Sequence, residues 1–133
     1  MTISLLDVNI LLALLDPTHT FHASAAHWFR NNADEGWATC PITQNGFIRI
    51  ASHRSYPQPR TVNEARSVLQ AAIAHPSHTF WPDSHSLTDD ASVNPDHLLR
   101  SGQVTDTYLL GVAVKCRGSI CHIRSTGRYR CSA

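Results

Sequence analysis

The chain has 133 residues, 42% of them hydrophobic and 16% charged, with a formal net charge of +1. That is the length of one ordinary domain, long enough to bury roughly two-thirds of its unfolded surface, and the composition excludes a disordered or low-complexity polymer. No apolar run reaches the roughly 20 residues a membrane helix needs, and the N-terminus lacks a secretory signal's basic region and cleavage site, so a cytoplasmic protein with no membrane association is expected.

"ISLLD" (3–7) reads as a short buried strand that ends on a polar residue, and "VNILLALL" (8–15) has helical apolar spacing that stops at Asp16-Pro17. "PTHTFH" is a loop. "HASAAHWFRNN" (22–32) reads as an amphipathic helix with Ala26 and Phe29 facing inward. "GWATC" (36–40) reads as a second buried strand, and Pro41 fits the first turn of a helix carrying Ile42, Phe47, Ile48 and Ile50. After Pro57 and Pro59, Thr61 followed by Glu64 is a capping-box signature. It opens a helix whose inward spacing is Val62, Ala65, Val68, Leu69, Ala72 and Ile73. "HTFWPD" (78–83) is a third strand, and "NPDHLL" (94–99) a short helix capped by Asn94. "VTDTYLLGVAVKC" (104–116) is a helix with Thr105 as its cap, and "GSICHI" (118–123) a fourth strand. No element is expected in 124–133.

Short apolar strands alternating with helices predict an α/β fold, a short parallel sheet with helices on both faces. No linker divides the chain. The charge is uneven: residues 1–114 hold six basic and ten acidic side chains, whereas Lys115, Arg117, Arg124, Arg128 and Arg130 give 115–133 five basic and no acidic ones. A basic end on an acidic body suits phosphates or an acidic partner, although a solvated tail accounts for it equally well. The four cysteines are expected as reduced thiols, and Cys116, Cys121, His122 and Cys131 match no zinc spacing.

In an open α/β sheet, ligands sit beyond the carboxyl ends of the strands. Asp7 falls where the first strand ends, and Asn9 lies in the first turn of the next helix. A strand-end acid between two apolar runs has no evident structural task. Asp106 falls at the start of the late helix, where favourable interaction with the helix dipole is its ordinary explanation. Two carboxylates meeting at one crevice suit a hard divalent ion, which polarises a phosphodiester and activates water.

Those residues sit in motifs that resemble the PIN-domain ribonucleases, specifically the VapC-type toxins of bacterial toxin–antitoxin pairs. The matching stretches are "LLDVNILLALLD" (5–16), "HTFHASAAHWF" (19–29), "WATCPITQNGFIRIAS" (37–52), "FWPD" (80–83) and "QVTDTYLLGVAV" (103–114). The resemblance implies a PIN-like three-layer sandwich over 1–123 with a basic tail at 124–133. It implies endonucleolytic RNA cleavage dependent on Mg2+ or Mn2+, an antitoxin whose C-terminal segment fills the groove, and a homodimer. Asp7 and Asp106 match metal-binding acids, and Asn9 a supporting polar position. Two of the four family acids are replaced: Gln44 stands at the second, in "CPITQNGF", and Arg124 at the fourth, after "CHI". An amide still accepts a hydrogen bond but brings no negative charge, and a cation beside the site opposes Mg2+. The resemblance therefore implies a weakened ribonuclease, or alternatively an inactive domain that only binds its antitoxin.

Other residues carry weaker functional readings. His22 reads as a helix-start polar residue and His27 as a half-buried one, with RNA contact as the alternative, and Asp83 reads as a turn residue that could also reach a metal through water. Trp28, Trp37 and Trp81 read as core or interface. Arg49, Arg128 and Arg130 are candidates for phosphate contacts, with a solvated role as the alternative.

Overall fold

The computed structural model describes residues 2–89, 96, 100–123 and 126–132. The helix expected from Asn94, and Arg124 at the fourth family acid position, lie outside them.

Five strands form one sheet. They are β1 (Ser4–Leu6), β2 (Trp37–Thr39), β3 (His78–Phe80), β4 (Ser119–Ile123) and β5 (Tyr129–Ser132), in the order β3-β2-β1-β4-β5. The first four pair in parallel, and β5 runs antiparallel to β4. The connections are helical: α1 (Val8–Leu15) and α2 (His22–Asn32) join β1 to β2, and α3 (Pro41–Ala51) and α4 (Val62–Ile73) join β2 to β3. Helix α5 (Val104–Lys115) precedes β4.

Alternation along the strands divides the core in two. Leu6, Trp37 and Cys121 face one side, where they pack with Ile10, Leu11, Phe47, Ala65 and Leu69 of α1, α3 and α4. Leu5, Ala38 and Ile120 face the other, under Tyr108, Leu109, Val112 and Ala113 of α5. The expected three layers are therefore present, with α5 covering one face and the remaining helices the other. Trp37 and Trp81 are buried as expected, and Trp28 packs against the core edge beside Tyr129.

Local chemistry accounts for the helix ends. Thr61 Oγ1 accepts from the Glu64 N–H (3.1 Å) and Glu64 Oε2 from the Thr61 N–H (2.9 Å), a complete capping box at the start of α4. Pro41 occupies the first turn of α3, and Gly36 turns the chain into β2 at φ +106°, a conformation L side chains rarely adopt.

Several expectations need correction. Thr105 is not the cap of α5. Gln103 holds that position, because a 3-10 turn over Ser101–Gln103 feeds the helix two residues earlier. Ala25, not Ala26, is the buried alanine of α2, and Val62 is largely exposed because the capping turn swings it off the inner face. The tail is not without structure: Tyr129–Ser132 pairs with β4, four residues too short to show a pattern alone. Nor are all thiols reduced. Cys121 and Cys131 stand directly opposite each other across that pair and form a disulfide.

Candidate active site

Two registers assemble the site. Parallel pairing sets Ser4, Leu5 and Leu6 against Ser119, Ile120 and Cys121, and the Asp7 N–H continues the ladder to the Cys121 carbonyl at 3.1 Å. Asp7 therefore runs alongside His122, at the carboxyl ends of β1 and β4. These two strands are neighbours although the chain winds outward from β1 to β3 before returning to β4. That reversal is the switch point where open α/β sheets place their ligands. His122 lies two residues from Ile120 and so faces the α5 side of the sheet, where Asp106 projects from the first turn of α5.

The outcome is a three-residue cluster. Asp7, Asp106 and His122 each offer one ligand atom, and these atoms lie within 4.8 Å of one another. It is the one such group among the described residues. Asp7 is buried, with 8% of its surface accessible, whereas Asp106 is exposed at the rim. Asp7 sits at the N-cap of α1 but makes no side-chain capping bond, so its carboxylate stays available to the crevice. His122 Nδ1 donates to Asp7 Oδ2 at 3.3 Å. That bond raises the His122 pKa above its usual value, outweighing burial, which lowers it; Asp7 and Asp106 add attraction and Arg130 opposes it.

Arg130 enters through the second register. It stands directly opposite His122 across the antiparallel β4–β5 pair, so both side chains share a face. Gln103, Asp106, Thr107, His122 and Arg130 line one open cleft. Gln103 Oε1 is buried there with no hydrogen-bond partner among the described residues, an acceptor left for a ligand or water. Two carboxylates and an imidazole whose ligand atoms lie within 4.8 Å of one another fit a hydrated divalent cation, which keeps several waters among its ligands.

The remaining expected residues are placed differently. Asn9 is exposed in the first turn of α1. Gln44 is directed to β2: its Nε2 donates to Thr39 Oγ1 (2.9 Å), which also hydrogen-bonds His78 Nε2 (2.8 Å). Burial, aided by His75, depresses the His78 pKa. Gln44 and Arg49 line a second cleft together with Val8 and Thr105, the chain neighbours of Asp7 and Asp106. Asp83 is exposed after β3 and lies outside the cluster. His22 is a helix-start residue bonded to the Ala13 carbonyl (2.8 Å), and His27 pairs with Asn31 (3.1 Å) on the exposed side of α2.

The residue that sequence reasoning missed is His122. Its signal was present, one step past the β1–β4 register, but only once those strands are known to be neighbours.

No helix among the described residues is long and apolar enough to cross a membrane. No protein-family model matches the chain. Curated relatives do. The chain is 44% identical over 111 residues to "Ribonuclease VapC44" of Mycobacterium tuberculosis, covering 84% of this chain and 78% of the relative. It is 40% identical over 118 residues to "Ribonuclease VapC39" of the same organism, covering 88% and 85%. It is 35% identical over 121 residues to "Ribonuclease VapC29", covering 91% and 85%. With a mostly parallel α/β sheet covered by helices on both faces and identities of this size over most of both chains, the protein belongs to the VapC-type family of PIN-domain ribonuclease toxins.

Proposed function

We propose that the chain is the toxin of a type II toxin–antitoxin pair and cleaves RNA endonucleolytically with the help of Mg2+ or Mn2+. The observation that carries this reading is the meeting of Asp7, Asp106 and His122 at the switch point of a VapC-family fold. Asp7 and Asp106 hold the ion, and Asn9 and Gln44 support the site. When bound there, the ion supplies Lewis acidity to a phosphoryl oxygen and lowers the pKa of a water. The chain's own groups do the rest. The buried Asp7 carboxylate fixes one side of the site against the sheet, and Asp106 closes the other from α5. Arg130 offers a cation to RNA phosphate along the cleft wall, and Gln103 Oε1 accepts from a ribose hydroxyl or an ordered water. Thr39 holds the Gln44 amide, which contributes polarity without charge. With amide and cation replacing two family acids, turnover is below that of a four-acid site.

The partners in this reading are RNA, a cognate antitoxin that covers the clefts, and a second copy of the chain, all in the cytoplasm. A catalytically inactive domain that only binds antitoxin is the second reading, and the engagement of Gln44 with Thr39 favours it. One experiment separates them. Purified protein is incubated with total RNA in Mg2+, in Mn2+ and in chelator. Discrete cuts that need metal support the ribonuclease. Intact RNA at every metal concentration, from folded protein that still binds antitoxin, supports the binder.

A further inference from the structure

The family expectation for this site is oxygen ligands alone, yet the third side chain of the cluster is an imidazole. We infer that His122 Nδ1 is a direct metal ligand, so that this site selects a transition ion such as Mn2+, which tolerates a nitrogen ligand, over Mg2+. The inference rests on the ribonuclease reading only for the expectation that a divalent ion belongs here.

Three observations carry it. First, Nδ1 lies 3.3 Å from Asp7 Oδ2, and a ring nitrogen of His122 belongs to the group of ligand atoms within 4.8 Å of one another. Second, the imidazole has little freedom to leave. His122 stands in β4, paired with Arg130 of β5 one residue past the β1 pairing, and its side chain is only 24% accessible. Third, the donors arrive from three separate elements, the end of β1, the start of α5 and the end of β4, so the cluster is a product of the fold and not of one polar stretch.

The chemistry then follows from ligand type. Mg2+ binds oxygen and dehydrates reluctantly, and an imidazole nitrogen adds little for it. First-row transition ions accept a nitrogen ligand more readily than Mg2+ does, Mn2+ least among them, and their affinity for mixed N/O sites rises along the row from Mn2+. In the metal-free protein the same Nδ1–H bonds Asp7; an ion bound there would displace that proton, which leaves to solvent from the imidazolium or moves to Nε2 of the neutral ring. The imidazole brings a neutral ligand where a carboxylate would bring charge. It thus offsets part of what Gln44 and Arg124 remove, and only for ions that bind nitrogen.

The test uses the full chain and the metal chlorides alone, without RNA. Mn2+ and Mg2+ are titrated into metal-free protein by calorimetry, and the bound Mn2+ is examined by electron spin-echo spectroscopy for nitrogen modulation. Wild type should bind Mn2+ about tenfold or more tighter than Mg2+ and show one coordinated nitrogen. His122→Ala and the bulkier His122→Gln should abolish the modulation and weaken Mn2+ by about tenfold, with Mg2+ changed less than about twofold. Absence of nitrogen modulation in the wild type overturns the inference whether or not either variant folds. So does equal affinity for the two ions in wild type. The two readings fail separately: metal-dependent RNA cleavage without nitrogen modulation sinks this inference alone, and nitrogen-coordinated Mn2+ with intact RNA sinks the ribonuclease reading alone.

Discussion

Gly46 lets α3 approach the first turn of α1, and replacing it tests how the site's scaffold is packed. A Cβ built at Gly46 falls 2.7 Å from Val8 Cγ2, 3.6 Å from Cγ1 and 3.8 Å from Cβ. Ordinary carbon contacts need about 3.5–4.0 Å, so one group must move by roughly 1 Å. Val8 cannot rotate away easily, because β-branched side chains are held to one rotamer in a helix. Two terms oppose each other. Gly→Ala in a helix interior gains about 1 kcal/mol, and overpacking a buried contact costs about 2 kcal/mol. Gly46→Ala should therefore destabilise by about 1 kcal/mol, a fall of roughly 3–5 °C in Tm for a chain of this size. In a Val8→Ala background both methyl groups are gone, and the same substitution should stabilise by about 1 kcal/mol. The coupling is then about 2 kcal/mol, measured by urea denaturation of the wild type, the two single variants and the double variant. Val8 follows Asp7 directly, so cleavage should fall in Gly46→Ala and recover in the double variant. If Gly46→Ala raises stability equally in both backgrounds, the close approach of the helices is wrong.

Further outcomes follow from other contacts. Tyr56 donates to Asp16 Oδ2 at 2.6 Å, tying the end of α1 to the loop after α3. Burial pushes the Asp16 pKa up, but the bonds from Tyr56 and Thr18 outweigh it and hold it below 3.8. This stability is present above the unfolded pKa and is lost as pH falls through the lower folded value. Tyr56→Phe should cost about 1 kcal/mol at pH 7, and its gap to wild type should close below about pH 3.8 in thermal melts; a gap independent of pH argues against the pairing. The Cys121–Cys131 bridge closes a ten-residue separation, so Cys131→Ser should lose about 2–3 kcal/mol in urea, and reductant should do the same to wild type; no change with reductant counts against the bridge. Arg130→Gln should weaken RNA binding, measured by anisotropy in chelator, and lower the salt slope by about 1; an unaltered slope removes Arg130 from the phosphate path.

Most of the scaffold was legible because each part carried its own local signal. Asp16-Pro17 stopped α1, Thr61 with Glu64 started α4, and the apolar runs before Asp7 and after Gly118 marked β1 and β4. Asp7 and Asp106 were legible for the same reason, as polar residues at element ends. What failed depended on partners distant in sequence. The strand Tyr129–Ser132 exists by pairing with β4, and no periodicity in four residues announces it. His122 joins the acids through a register between strands more than 100 residues apart in the chain, and its hydrogen bond to Asp7 spans a separation of 115.

The central claim is that the cluster at the ends of β1 and β4 is one metal-dependent catalytic unit. Its most direct test is single-turnover cleavage of RNA in saturating Mn2+ by wild type, Asp7→Asn, Asp106→Asn and the double variant, each first shown to be folded. Each single change should slow cleavage by at least about 100-fold, and the double variant should be scarcely slower than either, because residues acting as a unit are not additive. Cleavage that survives Asp7→Asn at near the wild-type rate would place the chemistry elsewhere.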